Sequence, residues 1–454
     1  MSLDKMVERI IITSAQFEAR PNKELVRNID AYVQRHDARV VVLPIRGKSV
    51  VDEVLHPDLQ SRADYEFVTK DYKINDSLRI SNYEIRPQQI NPLTGIKRFA
   101  HGDKSFIFGS PKQVLQYVAN SYDEIPKAIM TTGAITHPRY NENVRTGRIA
   151  KKDHEYGFVV VEKEDNKFFH FRHIKAQKNG TFWDADGIYS RGNFKEVKNT
   201  PAFVVGDLHP YDTNEVHQQV TFEQIQHFKP KKVFLHDTFN GTSISHHYKG
   251  HNIKMFEVAK GQGLSLEKEL EHTAKEIQRY LSVLPRGSQL YLVASNHDEH
   301  LYRYLDEGRF VGDKGNDLIA SKLYTTALEG KNPLMEGLSM FMKVPKNLHY
   351  IERDSGLKVL GYELGNHGDL GANGGRGSPR SIEEANGKSI TGHTHSPFKV
   401  RDTYKVGTST NLRLGYNTGY SNWCNTNAVM YNNGQVQLLN TIKGSWRGGS
   451  NEGM

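Results

Sequence analysis

Between Phe203 and His395 the chain repeats one pattern five times: a short apolar run, then at once a cluster of Asp, His or Asn. Phe203-Val204-Val205 runs into Gly206-Asp207-Leu208-His209, and Lys232-Val233-Phe234-Leu235 ends at His236-Asp237. Tyr291-Leu292-Val293-Ala294 ends at Ser295-Asn296-His297-Asp298. Strands expected near 348–352 and 357–364 end at Gly365-Asn366-His367, and Ser389-Ile390 leads into Thr391-Gly392-His393-Thr394-His395. Helical spacing separates the early runs, at 221–228 and along the stripe Leu266, Leu270, Ala274, Ile277, Leu281 and Leu284. Strands alternating with helices predict an α/β fold, and in open α/β sheets ligands gather beyond the carboxyl ends of strands. Five strand ends can therefore deliver side chains to one place. Carboxylate, imidazole and amide oxygen suit hard or borderline divalent metals. In Asp-x-His and His-x-His both side chains of an extended pair share one side.

The first 200 residues read differently. The run at 9–13, helical spacing at 22–34 and a run at 39–43 stopped by Pro44 predict a βαβ unit. Segments 104–108, 112–120 and 127–131 predict strand, helix and strand, and 157–198 predicts β-hairpins with Lys178-Asn179-Gly180 as a turn. Lys198-Asn199-Thr200-Pro201 reads as a junction, which gives an N-terminal α/β domain over 1–198 and a second domain over 199–454. The C-terminal strand pairs are expected to end with a turn at Asn432-Asn433-Gly434.

Composition narrows the setting. The single cysteine, Cys424, excludes an intrachain disulfide and Cys-zinc sites and points to a reducing compartment. The start, Met1-Ser2-Leu3-Asp4-Lys5, lacks an apolar signal core, and no run approaches the roughly 20 apolar residues of a membrane span. The expectation is a soluble cytoplasmic protein, in the host cytoplasm if a phage encodes it. A net charge of +8 favours an anionic partner, with nucleic acid first among them, although the charge is diffuse. A homo-oligomer is compatible with all of this.

The ordered set Gly206-Asp207-Leu208-His209, His236-Asp237-Thr238-Phe239-Asn240, Ser295-Asn296-His297-Asp298, Gly365-Asn366-His367 and Gly392-His393-Thr394-His395 resembles the calcineurin-like metallophosphoesterases over about residues 201–445. The resemblance implies a four-layer αββα sandwich and two divalent metals, Mn²⁺ foremost, with Fe or Zn also fitting the ligands. It implies that Asp207, His209 and His395 bind one metal, that Asn296, His367 and His393 bind the other, and that Asp237 bridges them. His297 would stand beside the metals and protonate the leaving oxygen, with Asp298 either orienting it or capping the next helix. Two such cations lower the pKa of a bound water and clamp the oxygens of an in-line displacement at phosphorus. The chain departs from the family pattern at His236, where glycine is usual, and at Gly241, where many protein phosphatases of the family carry an arginine. Of the expected ligands His367 has a rival, His349, on the preceding strand.

For substrate, the glycine-rich stretch after His367 lets backbone N–H groups approach a phosphate, with Arg376 and Arg380 to pair with its oxygens. His246 and His247 are further candidates. In the N-terminal half, His137, Arg139, Arg145, Arg148, Lys151 and Lys152 offer a basic contact surface. The segments 365–369, 373–378 and 392–397 also resemble phosphoesterases of tailed phages, among them relatives of the DNA-transfer and host-DNA-degrading protein of T5-like phages. That resemblance implies a DNA nuclease. The competing expectations are a phosphodiesterase or phosphatase for nucleotides or other small molecules, and a binding or scaffold protein on an inactive phosphoesterase fold.

Overall fold

The computed structural model describes residues 7–47, 52–100, 102, 104–121, 125–248, 251, 253, 264–414 and 417–449. The reading of Met1–Lys5 therefore lies outside the described residues. The chain is a mixed α/β protein that divides into two compact units. One holds residues 1–200, 395–407 and 412–454; the other holds 201–394 and 408–411.

The first unit is built on the expected βαβ element. Glu8–Gln16 lies at the centre of a five-stranded sheet, and its apolar run is buried on both faces. It pairs in parallel with Arg39–Ile45, which pairs in parallel with Tyr65–Phe67, and antiparallel with Gly157–Lys163, itself antiparallel to Phe169–Lys175. The connecting helix, Lys23–His36, starts where the Asn22 side chain accepts the Leu25 N–H and buries Leu25, Ile29 and Tyr32. Pro44 does not stop the second strand: it sits in register with Ala15. A second run of strands is ordered Thr403–Lys405, Phe398–Val400, Val114–Val118, Lys127–Thr131, Ser105–Phe108, Leu78–Ser81 and Tyr72–Lys73. The helix expected over 112–120 is thus a strand, antiparallel to Lys127–Thr131. Val-Leu-Gln-Tyr-Val suits a pleated surface, and pairing with Phe398–Val400, almost 300 residues away in the chain, decides the matter.

That pairing also shows why 199–454 is not one continuous body. The chain first passes from one unit to the other between Thr200 and Pro201, and 395–407 and 412–454 belong with the N-terminal residues. Gln435 exchanges two hydrogen bonds with the Trp183 backbone, and Gly448 donates to Glu162. A pattern read along the chain does not reveal such partners.

In the second unit four parallel strands are ordered Leu348–Ile351, Gln289–Val293, Lys232–His236, Ala202–Val204. Glu215–Phe228 crosses from the first strand in sequence to the second, and Leu266–Val283 precedes the third. Leu266, Leu270, Ala274 and Ile277 of the long helix are buried, as the stripe predicts. The loops 205–209, 237–241 and 294–298 all leave the same, carboxyl, edge of this sheet. Among the described residues no helix is long and apolar enough to cross a membrane.

Candidate metal centre

Backbone hydrogen bonds draw the polar loops of the second unit together. Leu208 and His209 N–H donate to the carbonyls of His236 and Asp237, both at 3.0 Å, which locks the first loop to the second. Ser409 N–H donates to Asp207 O at 2.8 Å, and Gly392 N–H to His367 O at 2.8 Å. Gly392 must be glycine because a Cβ there would collide with the Asp207 carboxylate. His209, Asp237 and His393 adopt φ of 44°, 47° and 74°, a region that costs non-glycine residues energy and that collects at functional sites.

The side chains converge accordingly. Asp207, His236 and His367 present ligand atoms within 4.8 Å of one another, as do His209, Asp237 and His297. Asp237 Oδ2 lies 3.2 Å from His209 Nε2 and 3.3 Å from His367 Nε2. The His367 and His393 rings are 5.3 Å apart, and His209 meets His297 edge-on at 4.7 Å. Burial raises the Asp237 carboxyl, but His367, His209 and His297 more than offset it and hold it well below the usual carboxylate range. Burial pushes His367 well below the ordinary imidazole value and His236 down to about 4.

These residues fit a cation. Oδ1 of Asp237, Oδ1 of Asn296 and Nε2 of His236 are buried with no hydrogen-bond partner, and unsatisfied buried acceptors that converge call for an ion or a water. The donors are oxygens and imidazole nitrogens, the set for hard or borderline divalent ions. Metal-ligating histidines hand their second nitrogen to a neighbour that fixes the ring. His236 meets this description, with its Nδ1 3.4 Å from His367 Nδ1. In the sequence His236 reads only as a departure from pattern; its place at a strand end, directly before Asp237, is the signal that could have found it.

His297 donates from Nδ1 to the Asn240 carbonyl at 2.9 Å, because a carbonyl only accepts. That leaves Nε2 free of this bond, and His297 stands with His209 and Asp237 in a group that could hold a metal ion. Burial lowers its pKa. Asp298 neither orients His297 nor caps the helix. The helix Asp298–Asp306 has His297 at its cap position, and Asp298 Oδ2 accepts from Ser295 N–H and Tyr350 OH, both at 3.0 Å. His349 is no rival to His367: it is hydrogen-bonded to Gln289 at 2.7 Å and stacked on Tyr291.

Beyond His297 the rings continue through His300, at 5.4 Å, to His246 and His247, at 5.2 and 5.6 Å. Glu269 anchors this loop by accepting from Thr242 and Ser243 N–H. Arg303 donates to His246 Nε2 at 3.0 Å. His300 escaped sequence reasoning although it lies three residues after His297, a spacing that puts both on one helix face. Arg376 and Arg380 do not gather at the centre: both are exposed, and Arg380 pairs with Glu384 along its own helix. His395 belongs to the stretch that joins the first unit, where its ring lies 4.1 Å from Trp423 and its carbonyl accepts from Cys424 N–H.

The chain is similar to Protein A1 of Escherichia phage T5, at 27% identity over 97% of this chain and 83% of that protein. No protein-family profile matches the chain, and no solved structure matches it.

Proposed function

We propose that the second unit holds two divalent cations, Mn²⁺ by first choice, and that the protein is a calcineurin-like phosphoesterase hydrolysing DNA phosphodiesters. One observation carries the reading: Asp207, His209, Asp237, His236 and His367 gather, with His297 beside them, into two groups that could hold a metal ion, while Asp237 Oδ1 and Asn296 Oδ1 stay unsatisfied. The parallel strands of the second unit suit the sandwich of that family, and similarity to a phage protein suits the phage relatives named above. DNA is favoured as substrate by the net charge of +8.

Cations bound here supply Lewis acidity toward phosphoryl oxygens and an acidified water at neutral pH. The protein's own groups do the rest. Asp237 lies between the two sets of donors and carries the negative charge that both require. His367 Nδ1 lies 3.4 Å from His236 Nδ1, a contact that orients the ring. His297 is locked by Asn240 with Nε2 free, so it can pass a proton to the departing oxygen once an anionic phosphodiester raises its pKa. Proton transfer of this kind is worth about 10²–10⁴-fold in rate.

The test is incubation of the pure protein with plasmid and linear DNA across Mn²⁺, Mg²⁺, Zn²⁺ and Fe²⁺. Cleavage that needs a metal, and that His297→Ala reduces by about 10²–10⁴-fold with the metal retained, is the expected result. Intact DNA together with turnover of cyclic nucleotides or aryl phosphates would move the protein to small-molecule substrates. A protein that binds metal yet turns over nothing would be a scaffold.

A further inference from the structure

Beside His367 the second unit contains a cavity of about 340 Å³, within the range of small-molecule sites. It is bounded by the loop 365–374, the helix Pro379–Asn386 and Thr391. The loop is preformed. Gly371 N–H donates to Gly375 O at 2.6 Å and Gly377 N–H to Asp369 O at 2.7 Å. A Cβ on Gly377 would collide with the Gly368 carbonyl.

The chemistry of the lining selects the occupant. Arg353 gives both terminal nitrogens to Asp369, at 2.8 and 2.6 Å, and its Nε faces Glu299 at 2.9 Å. Its charge is therefore spent, and Asp354 adds a further carboxylate to the wall. A second phosphate would meet net negative charge. Asn366, Asn386 and the Thr391 hydroxyl remain, and Thr391 Oγ1 is fully buried with no hydrogen-bond partner. Such a wall suits an uncharged group rich in donors and acceptors. Among the described lining residues the one ring is the His367 imidazole, which belongs to the metal group, and there is no Phe, Tyr or Trp, so stacking does not select the group.

We infer that this cavity receives the nucleoside, sugar and base, attached to the phosphate under attack, and holds it by hydrogen bonds. The inference rests on the phosphodiesterase reading, because His367 belongs both to the cavity wall and to the metal group. It makes His367 the partition between scissile phosphate and adjoining nucleoside.

Two variants test it without touching a metal-group residue. Ala385→Trp fills the cavity from an exposed position on its rim, and Thr391→Val removes the orphan hydroxyl at constant shape. Each is assayed with Mn²⁺ on a short oligodeoxynucleotide and on bis(p-nitrophenyl) phosphate, which has no nucleoside. For Ala385→Trp, kcat/KM on the oligonucleotide should fall by about tenfold or more, chiefly through KM, while the aryl ester stays within about twofold. For Thr391→Val a loss of about threefold confined to the oligonucleotide is expected. Equal effects on both substrates, or no effect on either, overturn the inference. Should Ala385→Trp not fold, Thr391→Val decides. If the wild-type protein hydrolyses neither substrate, the phosphodiesterase reading fails by itself. Thymidine titrated into wild type and Thr391→Val, followed by NMR, then decides the cavity: binding weakened by the variant supports it, and no binding to wild type overturns it.

Discussion

The two units bury charge in opposite ways. In the first, Arg172 donates to both oxygens of Glu162, each at 3.0 Å, and to both oxygens of Asp184, at 2.9 and 3.1 Å. Arg9 and Gly448 N–H complete Glu162, and Tyr32 OH and Gln437 complete Asp184. Burial opposes the charge on Arg172, yet Asp184 and Glu162 hold its pKa well above the ordinary value. Two cations face two carboxylates, and this network is closed. In the second unit the groups are left open: Asp237 Oδ2 faces His209 and His367 at 3.2 and 3.3 Å, while Asp237 Oδ1 and Asn296 Oδ1 are buried without a hydrogen-bond partner. A closed network holds a fold together; an open one of convergent acceptors could hold a metal ion.

The comparison breaks first at Asp237. Asp237→Ala should abolish metal binding, read by metal content, and reduce turnover by about 10³-fold or more, the scale of lost Lewis-acid stabilisation. Survival of metal and activity would refute the open-network reading. Next comes Arg172→Ala. Removing one partner of a buried ion group costs about 3–5 kcal/mol, so denaturant unfolding should register that loss while metal content per folded protein stays unchanged. An Arg172 variant as stable as wild type would make the closed network ornamental.

Asp298 offers a subtler test. Burial first, then Asp237, raises its pKa to about 7 from the ordinary 3.8. Between those values the folded state binds the extra proton, so this residue makes stability fall as pH rises from about 4 to 7. Its ionisation then costs the fold up to about 4 kcal/mol. In metal-free protein Asp298→Asn keeps an oxygen for Ser295 and Tyr350, and it should exceed wild-type stability at pH 8 and converge on it near pH 4. An advantage independent of pH would sink the argument. The smallest effect is expected at Arg380, which is 86% exposed and paired within its own helix. Arg380→Ala should leave turnover and melting temperature unchanged; a selective loss on DNA would return the glycine-rich loop's arginines to the substrate site.

The polar clusters were legible because each follows an apolar strand, and a strand end is a local feature. The βαβ element, the long helix stripe and the turn at Lys178-Asn179-Gly180, where Gln177 and Thr181 pair, were legible for the same reason. Val114–Val118 was misread because its pairing partners are distant. Asp298 was misassigned because an N-cap and a loop-fixing carboxylate look alike in sequence.

What the sequence by itself determined is the inventory: which strands end in Asp, His and Asn, in what order, and with which donor atoms. Periodicity and residue type suffice for that, since both act within a few residues. Only the tertiary structure decided that His236 joins His367, that His297 gives its Nδ1 to Asn240, that Arg353 pairs with Asp369, and that the C-terminal strands join the N-terminal unit. Each of these depends on a contact between residues far apart in the chain, and long-range packing, not local propensity, places such residues together.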